Sequence, residues 1–483
     1  MSVRLVLTRL LLALMLLFGP ADSGLAHMTD PFRTYRTIPT TSASLMLGDH
    51  AACTYGAPGS PLTLQEAVAR ALCNNPETRT AWTTIEARAA AVGISKAAYL
   101  PTLSASGQIV HDETVTNVLG HPDLSSNYSA LVHSNNLELR WVLYDFGGRR
   151  ASLESAKAQL KVALASDNSI LQQTFADTAK VYYMAQAAHE QDDADNAIVQ
   201  DAKDSLEAAR NRVAHGAAPM TETYQAETSF EQAVLKQIHD RGEEKSILGS
   251  LANTLGLPPD TPLTLNALDN TVQPDEKFKR SVSQLMDQAV HSNPTVLVAE
   301  KELQSARANV TESKAQGRPS IEFVGRYSQN NQPVQLGIGF PHYPSTGHNG
   351  YIGIQVNIPL FSGFTTTYQV RQAEAKVDLQ TIALDKARQQ VALQVWQSYQ
   401  TLQTDTQNLI ISEQLQEVAT QAWQSAKRRY RSGVGTILEL LSTQRALAEA
   451  RQQRVEALSS WRYDRLDLAF ALGQLGWNDV AWH

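Results

Sequence analysis

The sequence is short of the features that define most functional classes of protein. Its longest apolar run, Leu10 to Phe18, has nine residues, fewer than the roughly 20 that a membrane-spanning helix needs. The formal net charge is −7 and no basic stripe occurs, which argues against a nucleic-acid partner. We find no glycine-rich phosphate loop, nucleophile elbow or metal-ligand spacing, so we expect no catalytic site, no cofactor and no bound metal.

The start of the chain has the features of a secretory signal. Arg4 and Arg9 precede or border the apolar run, and Gly24-Leu25-Ala26 supplies the small residues of a cleavage site. We therefore expect residues 1–26 to be removed and the mature protein to be exported. We expect no helical membrane anchor, because the apolar run is too short. We also expect no N-terminal lipid anchor, because no cysteine stands directly after the cleavage site.

Cysteine is scarce: Cys53 and Cys73 are the only two. A disulfide between them would close a loop of about 21 residues and contribute roughly 3 kcal/mol in the loop-entropy model. An oxidising periplasm permits this bridge. The alternative is a pair of free or buried thiols.

Most of the sequence is an internal duplication. Asn75-Pro76 recurs as Asn293-Pro294, 218 positions later (294 − 76), and each is followed by a further proline 25 residues on. The later landmarks keep nearly the same offset: Gly216 with Gly433, and Leu255-Gly256 with Leu472-Gly473. We divide the exported chain into four parts: an N-terminal periplasmic segment (27–61), two structural repeats (62–270 and 271–477) and a C-terminal tail (478–483).

Each repeat is predicted to run from short helices through a pair of strands into a long helical hairpin. The long helices extend from about Arg149 to Arg212 and from about Thr365 to Arg431, and a helix of such length measures roughly 95 Å. Gly216 and Gly433 provide the turns at the hairpin tips. Apolar residues at three- and four-residue steps in the second long helix are typical of a coiled coil.

Ahead of the long helices, the hydrophobic period changes to two. Four segments alternate in this way, at 103–110, 137–144, 321–328 and 351–358, and long polar loops are predicted at 114–134 and 330–349. Alternation is typical of an outer-membrane β-barrel, with lipid outside and water inside. A soluble, half-buried sheet has the same pattern.

Neither the hairpins nor the strands can stand alone. A helix of this length does not fit in a compact globule, and four strands are too few for a barrel, whose smallest usual closure needs about eight. Open sheet edges are not tolerated in lipid. The sequence therefore predicts an oligomer, in which two chains would supply eight strands and three chains twelve.

The order, spacing and duplication of these motifs over residues 62–477 resemble the TolC-like outer-membrane factor family. The turns between strand and long helix, Tyr144 to Gly148 and Pro359 to Gly363, belong to the same pattern. The resemblance implies an α+β membrane protein. In it, a homotrimer builds a twelve-stranded outer-membrane β-barrel from four strands per chain, continued by a periplasmic α-barrel of coiled-coil helices. It also implies outer-membrane lipid, a periplasmic adaptor (membrane fusion) protein and an inner-membrane ABC or proton-driven pump as partners.

The same resemblance places a periplasmic gate at the helix tips. It assigns gate positions to Tyr430, Glu439, Thr221 and Glu222. Tyr430 falls on the gate tyrosine and Glu439 on an acidic ring. The chain departs from the pattern at Gly435, where a gate arginine can occur, and at Ser442, where a second acidic ring can occur.

The acidic tip residues have two interpretations. Threefold repetition would bring three Glu439 carboxylates near one axis, where they would repel one another and attract cations. Alternatively, Glu439 and Glu222 are ordinary solvated residues near helix N-termini, where acids are favoured.

The predicted function is a passive exit duct of a tripartite export system. Type I protein secretion is favoured and small-molecule or multidrug efflux is the alternative, since both use the same duct architecture. A periplasmic coiled-coil adaptor is the rival from another class. An adaptor needs one helical hairpin between halves of a lipoyl-like domain, whereas here the hairpin occurs twice, each time after alternating strands.

Overall fold

The computed structural model describes residues 30–48, 53–266, 281–337 and 340–477. The predicted signal peptide (1–26) and the C-terminal tail (478–483) lie outside the described residues. Within the described residues, the chain passes twice through the same order of elements.

The first pass comprises α1 (Leu64–Asn74), α2 (Pro76–Ala97), β1 (Thr102–Thr116), β2 (Ser126–Tyr144), α3 (Gly148–Ala214) and α4 (Met220–Thr254). The second pass comprises α5 (Val282–Ser292), α6 (Pro294–Gln316), β3 (Ser320–Asn330), β4 (Gly347–Asn357), α7 (Thr365–Arg431) and α8 (Ile437–Ala471). Short elements lie between or before these, including a helical turn (Ser44–Leu47) and a two-residue ladder of Val334–Gln335 with His342–Tyr343.

The Asn-Pro pairs begin the second helix of each pass. The Asn75 side chain accepts a hydrogen bond from the Glu77 N–H at 2.8 Å, and the Asn293 side chain accepts one from the Thr295 N–H at 2.9 Å. The proline that follows occupies the first helical turn, where its missing N–H leaves no bond unmade. The repeated dipeptide is therefore a repeated helix start.

The end of each hairpin packs on the start of its own repeat. A Cβ atom at Gly473 would lie 2.7 Å from the Asn293 Cα, and one at Gly256 would lie 2.9 Å from the Asn74 Cβ. Both glycines also have positive φ, +70° and +74° respectively, a conformation that disfavours side chains. Landmarks that recur at one offset in the sequence thus meet in space.

The four long strands form one antiparallel sheet in the order β1-β2-β3-β4. The register sets Trp141 opposite Phe323 and Phe323 opposite Ile354, so one face is apolar across the neighbouring strands. This face is open to solvent in the single chain: Ile352 is 77 % exposed and Ile354 is 68 % exposed. Within the described residues, β1 and β4 each leave one edge unpaired.

The first strand pair is longer than the sequence indicated. Strands β1 and β2 have 15 and 19 residues, and their register runs unbroken to Thr116 opposite Ser126. The prediction of a loop at 114–134 was therefore wrong for most of that range. Backbone pairing continues through residues that lack apolar alternation, because ladder hydrogen bonds do not depend on which face is apolar.

The two helical hairpins are very long, and the two helices of each hairpin run antiparallel to one another. Helices α3 and α7 each have 67 residues, or about 100 Å at 1.5 Å per residue. Helix α4 returns along α3, and α8 returns along α7 while also packing on α3, so the two hairpins lie side by side. None of the helices among the described residues has the length and apolarity needed to cross a membrane.

A strap before α1 lies against the first two helices. Cys53 and Cys73 are bonded, with 5.4 Å between their Cα atoms, which fixes the strap to the end of α1. The Trp82 indole donates to the Pro39 carbonyl at 3.0 Å, and Lys96 donates to the Phe32 carbonyl at 3.2 Å. The strap therefore contacts both α1 and α2.

Candidate functional site

The candidate site lies at the tips of the two hairpins, where the long helices turn back. Gly216 follows the end of α3 with φ +67°, and Gly433 follows the end of α7 with φ +81°. The Gly216 N–H donates to the Val213 carbonyl at 3.0 Å, and the Gly433 N–H donates to the Tyr430 carbonyl at 3.1 Å. These glycines, in the left-handed conformation, donate hydrogen bonds to carbonyls of the last helical turn and allow the chain to reverse direction.

Tyr430 joins the two hairpins. Its hydroxyl, at the end of α7, donates a hydrogen bond of 2.9 Å to Oε2 of Glu222, in the first turn of α4. The side chain is only 1 % exposed. It packs in a small apolar cluster that draws on α3, α4, α7 and α8: Leu206, Ala209, Ala226, Ile437 and Leu440. The structure thus brings together two of the four predicted gate residues.

Arg212, near the end of α3, completes this contact. Its guanidinium carbon lies 4.6 Å from the centre of the Tyr430 ring, and its Nη1 lies 3.9 Å from Oε2 of Glu222. Burial, followed by the Glu222 carboxylate, raises the pKa of Tyr430 to about 12, while Arg212 acts in the opposite direction. Tyr430 therefore stays protonated and remains a hydrogen-bond donor at neutral pH.

Glu439 has its own arginine partner. Its Oε1 lies 3.5 Å from Nη1 of Arg429, and both side chains are partly exposed. Its backbone N–H donates to the Thr436 hydroxyl at 3.2 Å, which caps the start of α8. Glu439 is therefore both a helix N-terminal acid and one half of an ion pair.

Sequence reasoning missed Arg212 and the pairing of Arg429 with Glu439. The signal was present in the duplication, since Arg212 and Arg429 stand 217 positions apart (429 − 212), as do Glu222 and Glu439. Each tip therefore pairs an arginine at the end of its long helix with a glutamate at the start of its return helix.

Steric contacts account for the residue found at Gly435. A Cβ atom there would lie 2.9 Å from the Tyr430 backbone nitrogen and 3.0 Å from the Arg429 carbonyl carbon. No larger residue, arginine included, fits this turn unless the backbone moves. Ser442 turns its hydroxyl back to the Glu439 carbonyl at 3.1 Å, and Thr221 is exposed beside Glu222.

The tips thus contain a buried tyrosine, two ion pairs and two tight turns. The tyrosine and the ion pairs connect neighbouring helices to one another, so they can hold the helices together, and breaking them would release the helices.

Comparison with known proteins gives several relatives over most of the chain. Protein CyaE of Bordetella pertussis is 32% identical over 419 residues, covering 86% of this chain and 85% of that protein. The probable efflux pump outer membrane protein TtgC of Pseudomonas putida is 25% identical over 424 residues, covering 86% and 83%. The alkaline protease secretion protein AprF of Pseudomonas aeruginosa is 23% identical over 402 residues, covering 82% and 80%.

Solved structures share the fold. The outer membrane protein VceC of Vibrio cholerae superposes with a TM-score of 0.72 at 18% identity, covering 86% of this chain and 96% of that one. The open state of the outer membrane channel MtrE of Neisseria gonorrhoeae gives a TM-score of 0.70 at 22% identity, covering 86% and 89%. These likenesses confirm the predicted α+β class, with long helices and strands for a barrel.

The family assignment rests on both repeats. The model of the outer membrane efflux protein family matches residues 67–257 and 285–474, most of each half of the chain. The members are channels rather than enzymes, located in the outer membrane and reaching into the periplasm. The chain belongs to the outer membrane efflux protein family.

Proposed function

We propose that three copies of this chain assemble into one export duct through the outer membrane and periplasm. One observation carries the proposal: a four-stranded sheet with an exposed apolar face and two unpaired edges continues directly into helices of 67 residues. Joining β1 of one copy to β4 of the next would satisfy both edges, as lipid requires. The apolar face would then contact lipid and the opposite face would line a water-filled pore.

The assembly and its pore are tested in one preparation. The purified, detergent-extracted protein is measured for mass and then for conductance in a planar bilayer. A trimer that forms small, cation-selective channels supports the duct. A soluble species without channel activity would contradict the barrel and favour the periplasmic coiled-coil adaptor.

The hairpin tips would form the periplasmic entrance and its gate. The Tyr430–Glu222 hydrogen bond ties α7 to α4, so this contact must break before the two hairpins of one chain can part. Arg212 supports the contact from α3 by facing both the tyrosine ring and the carboxylate. In this proposal, the buried hydrogen bond favours the closed state and an external partner supplies the energy for opening.

The duct would work as the passive component of a tripartite system. Nothing in its helix tips consumes energy, so the driving force would come from an inner-membrane ABC or proton-driven pump. A periplasmic adaptor would connect that pump to the tips. Co-purification of the tagged duct with its adaptor, before and after removal of the tip turns, tests this arrangement.

The cargo is proposed to be protein, exported by a type I system. AprF, a protein named for alkaline protease secretion, matches 82% of the chain. Small-molecule efflux is the second candidate, because the efflux protein TtgC matches 86% of it. Deletion of the gene, scored for lost secreted proteins and for increased drug sensitivity, separates the two. Loss of secretion alone supports type I export, and drug sensitivity alone contradicts it.

A further inference from the structure

One group of three side chains on α4 has the chemistry of a metal site. His239, Asp240 and Glu243 each offer one ligand atom, and these atoms all lie within 4.8 Å of one another. His239 and Glu243 are four residues apart and therefore share one face of the helix. Both are exposed and Asp240 is half-buried, so the group is open to an ion from solvent.

A buried carboxylate on the neighbouring helix faces the same group. Asp195, on α3, is 2 % exposed, and its Oδ2 atom has no hydrogen-bond partner. Its carboxyl faces that of Asp240. Two carboxylates this close repel one another unless a cation lies beside them.

The local charges are out of balance. Among the ion pairs of the described residues, Lys236 is the one base that contacts these acids. Its Nζ lies 3.7 Å from Oδ2 of Asp195 and is also hydrogen-bonded to Asp240. One lysine therefore serves two carboxylates, and Glu243 adds a third negative charge.

Two bases along this stretch of the hairpin contact other acids. His189 contacts Glu244 at 2.8 Å, and Arg241 contacts Asp192 at 3.2 Å. These pairs do not relieve the excess negative charge around Asp240.

We propose that His239, Asp240 and Glu243 bind a divalent transition-metal ion of the Zn²⁺ class. One imidazole and two carboxylates suit such an ion, and three protein ligands leave a position for water. As Asp240 turns to the metal, Lys236 pairs with Asp195, whose free oxygen then gains a partner. The ion would thus brace α3 against α4.

The site is distinct from the gate and does not depend on the proposed duct function. His239 follows the start of α4 by 19 residues, which places it about 30 Å along the helix at 1.5 Å per residue. It was not predictable from the sequence, because ligands that are adjacent and four residues apart on one helix match no metal motif.

The test is calorimetric titration of Zn²⁺ into the metal-free, full-length protein in detergent. Wild type is expected to bind one ion per chain at this site. His239→Ala and Glu243→Gln, both at exposed positions, are each expected to weaken that binding at least tenfold. His291→Ala is the matched control, since His291 is exposed with Asp287 at 4.0 Å and no third ligand joins them among the described residues.

Lys236→Ala provides a test in the opposite direction. Removing the lysine frees Asp240, so zinc affinity is expected to rise severalfold. Unchanged zinc binding in both His239→Ala and Glu243→Gln would overturn the site, as would equal loss in His291→Ala. A fall in affinity for Lys236→Ala would contradict the placement of Asp240 among the ligands.

Discussion

Arg429 and Glu439 form an ion pair across the turn between α7 and α8, with 3.5 Å between Nη1 and Oε1. Arg212 and Glu222 repeat the pair in the other hairpin, 217 positions earlier, with 3.9 Å between their closest atoms. The two copies have diverged in one respect. Tyr430 follows Arg429, whereas Val213 follows Arg212. Tyr430 reaches across to the Arg212–Glu222 pair, which is therefore half-buried, whereas the Arg429–Glu439 pair is more exposed.

The exposed pair sets the charge that Glu439 can offer to passing ions. We expect Glu439→Ala to lower the preference of the channel for cations. Arg429→Ala should raise it, because it leaves the carboxylate unpaired. A change of about two- to fivefold in the permeability ratio corresponds to the ~0.5–1 kcal/mol of a partly exposed pair. The measurement is the reversal potential of single channels in a salt gradient.

Glu449→Ala serves as the control for this pair, because Glu449 is exposed on the same helix, ten residues beyond Glu439. Its removal should leave the reversal potential unchanged. Identical selectivity in wild type, Glu439→Ala and Arg429→Ala would show that Glu439 is an ordinary solvated helix residue.

The buried hydroxyl of Tyr430 should stabilise the closed tip. Tyr430→Phe keeps the ring and its packing but removes the hydrogen bond to Glu222, whose carboxylate is then left without this donor. The loss of such a bond costs about 1 kcal/mol, or roughly a fivefold shift towards the open state for each chain. We expect a larger mean conductance and longer openings in planar bilayers.

Tyr368→Phe is a suitable control for the gate variant, since Tyr368 lies near the start of the same helix and is 65% exposed. Its channels should match wild type. Wild-type conductance and gating in Tyr430→Phe would show that this hydrogen bond plays no part in the gate.

A buried acid between α7 and α8 should make stability depend on pH. Asp464 is 8 % exposed, and burial, followed by the facing Asp405 carboxyl, raises the pKa of Asp464 to about 8. The folded chain therefore holds this proton more tightly than the unfolded chain, whose Asp pKa is about 3.9. The stabilisation is complete below the unfolded pKa and is lost as the pH rises through about 8.

Asp464→Asn mimics the protonated acid at every pH. Its apparent Tm should equal that of wild type near pH 3, below the unfolded pKa, and exceed it by a growing margin up to about pH 8, by about 2–4 °C for each kcal/mol recovered. Asp378→Asn, at an exposed position of α7, controls for the change in net charge. Parallel pH profiles of Tm for Asp464→Asn and wild type would contradict the expectation.

The turn at Gly435 should not accept a side chain. In Gly435→Ala the new Cβ meets the backbone at Tyr430 and Arg429, and relieving such overpacking costs about 1–3 kcal/mol. We expect a lower Tm together with a looser gate, because the displaced backbone carries Tyr430. Gly242→Ala is the control: among the described residues, no atom beyond its chain neighbours and its own helix backbone lies within 4 Å of its Cβ position. That change should be neutral or stabilising by up to about 1 kcal/mol.

Features of the fold that depend on short-range interactions could be predicted from the sequence, whereas those that depend on contacts between distant segments could not. The repeated Asn-Pro starts and the tip glycines were readable, because capping and positive φ act within a few residues. The alternation in 351–358 indicated β4, because successive side chains of a single strand point to opposite faces. The extension of β1 and β2 into 114–134 was not readable, since it depends on pairing between strands.

The candidate site was only half predictable. The resemblance pointed to Tyr430 and Glu222, and the structure joins them. It did not point to Arg212, whose role depends on how α3 is rotated against α7. The contact between Asp195 and Asp240 could not be predicted for the same reason, because it forms where α3 and α4 face each other.

The sequence by itself determined the duplication, the order of elements and the positions of the turns. All of these follow from local backbone preferences and from the period of apolar residues along one chain. The tertiary structure decided which arginine meets which glutamate, why glycine is required at position 435, and which acids are buried together. Those contacts depend on the rotation and axial shift of one long helix against another, which a hydrophobic period does not specify.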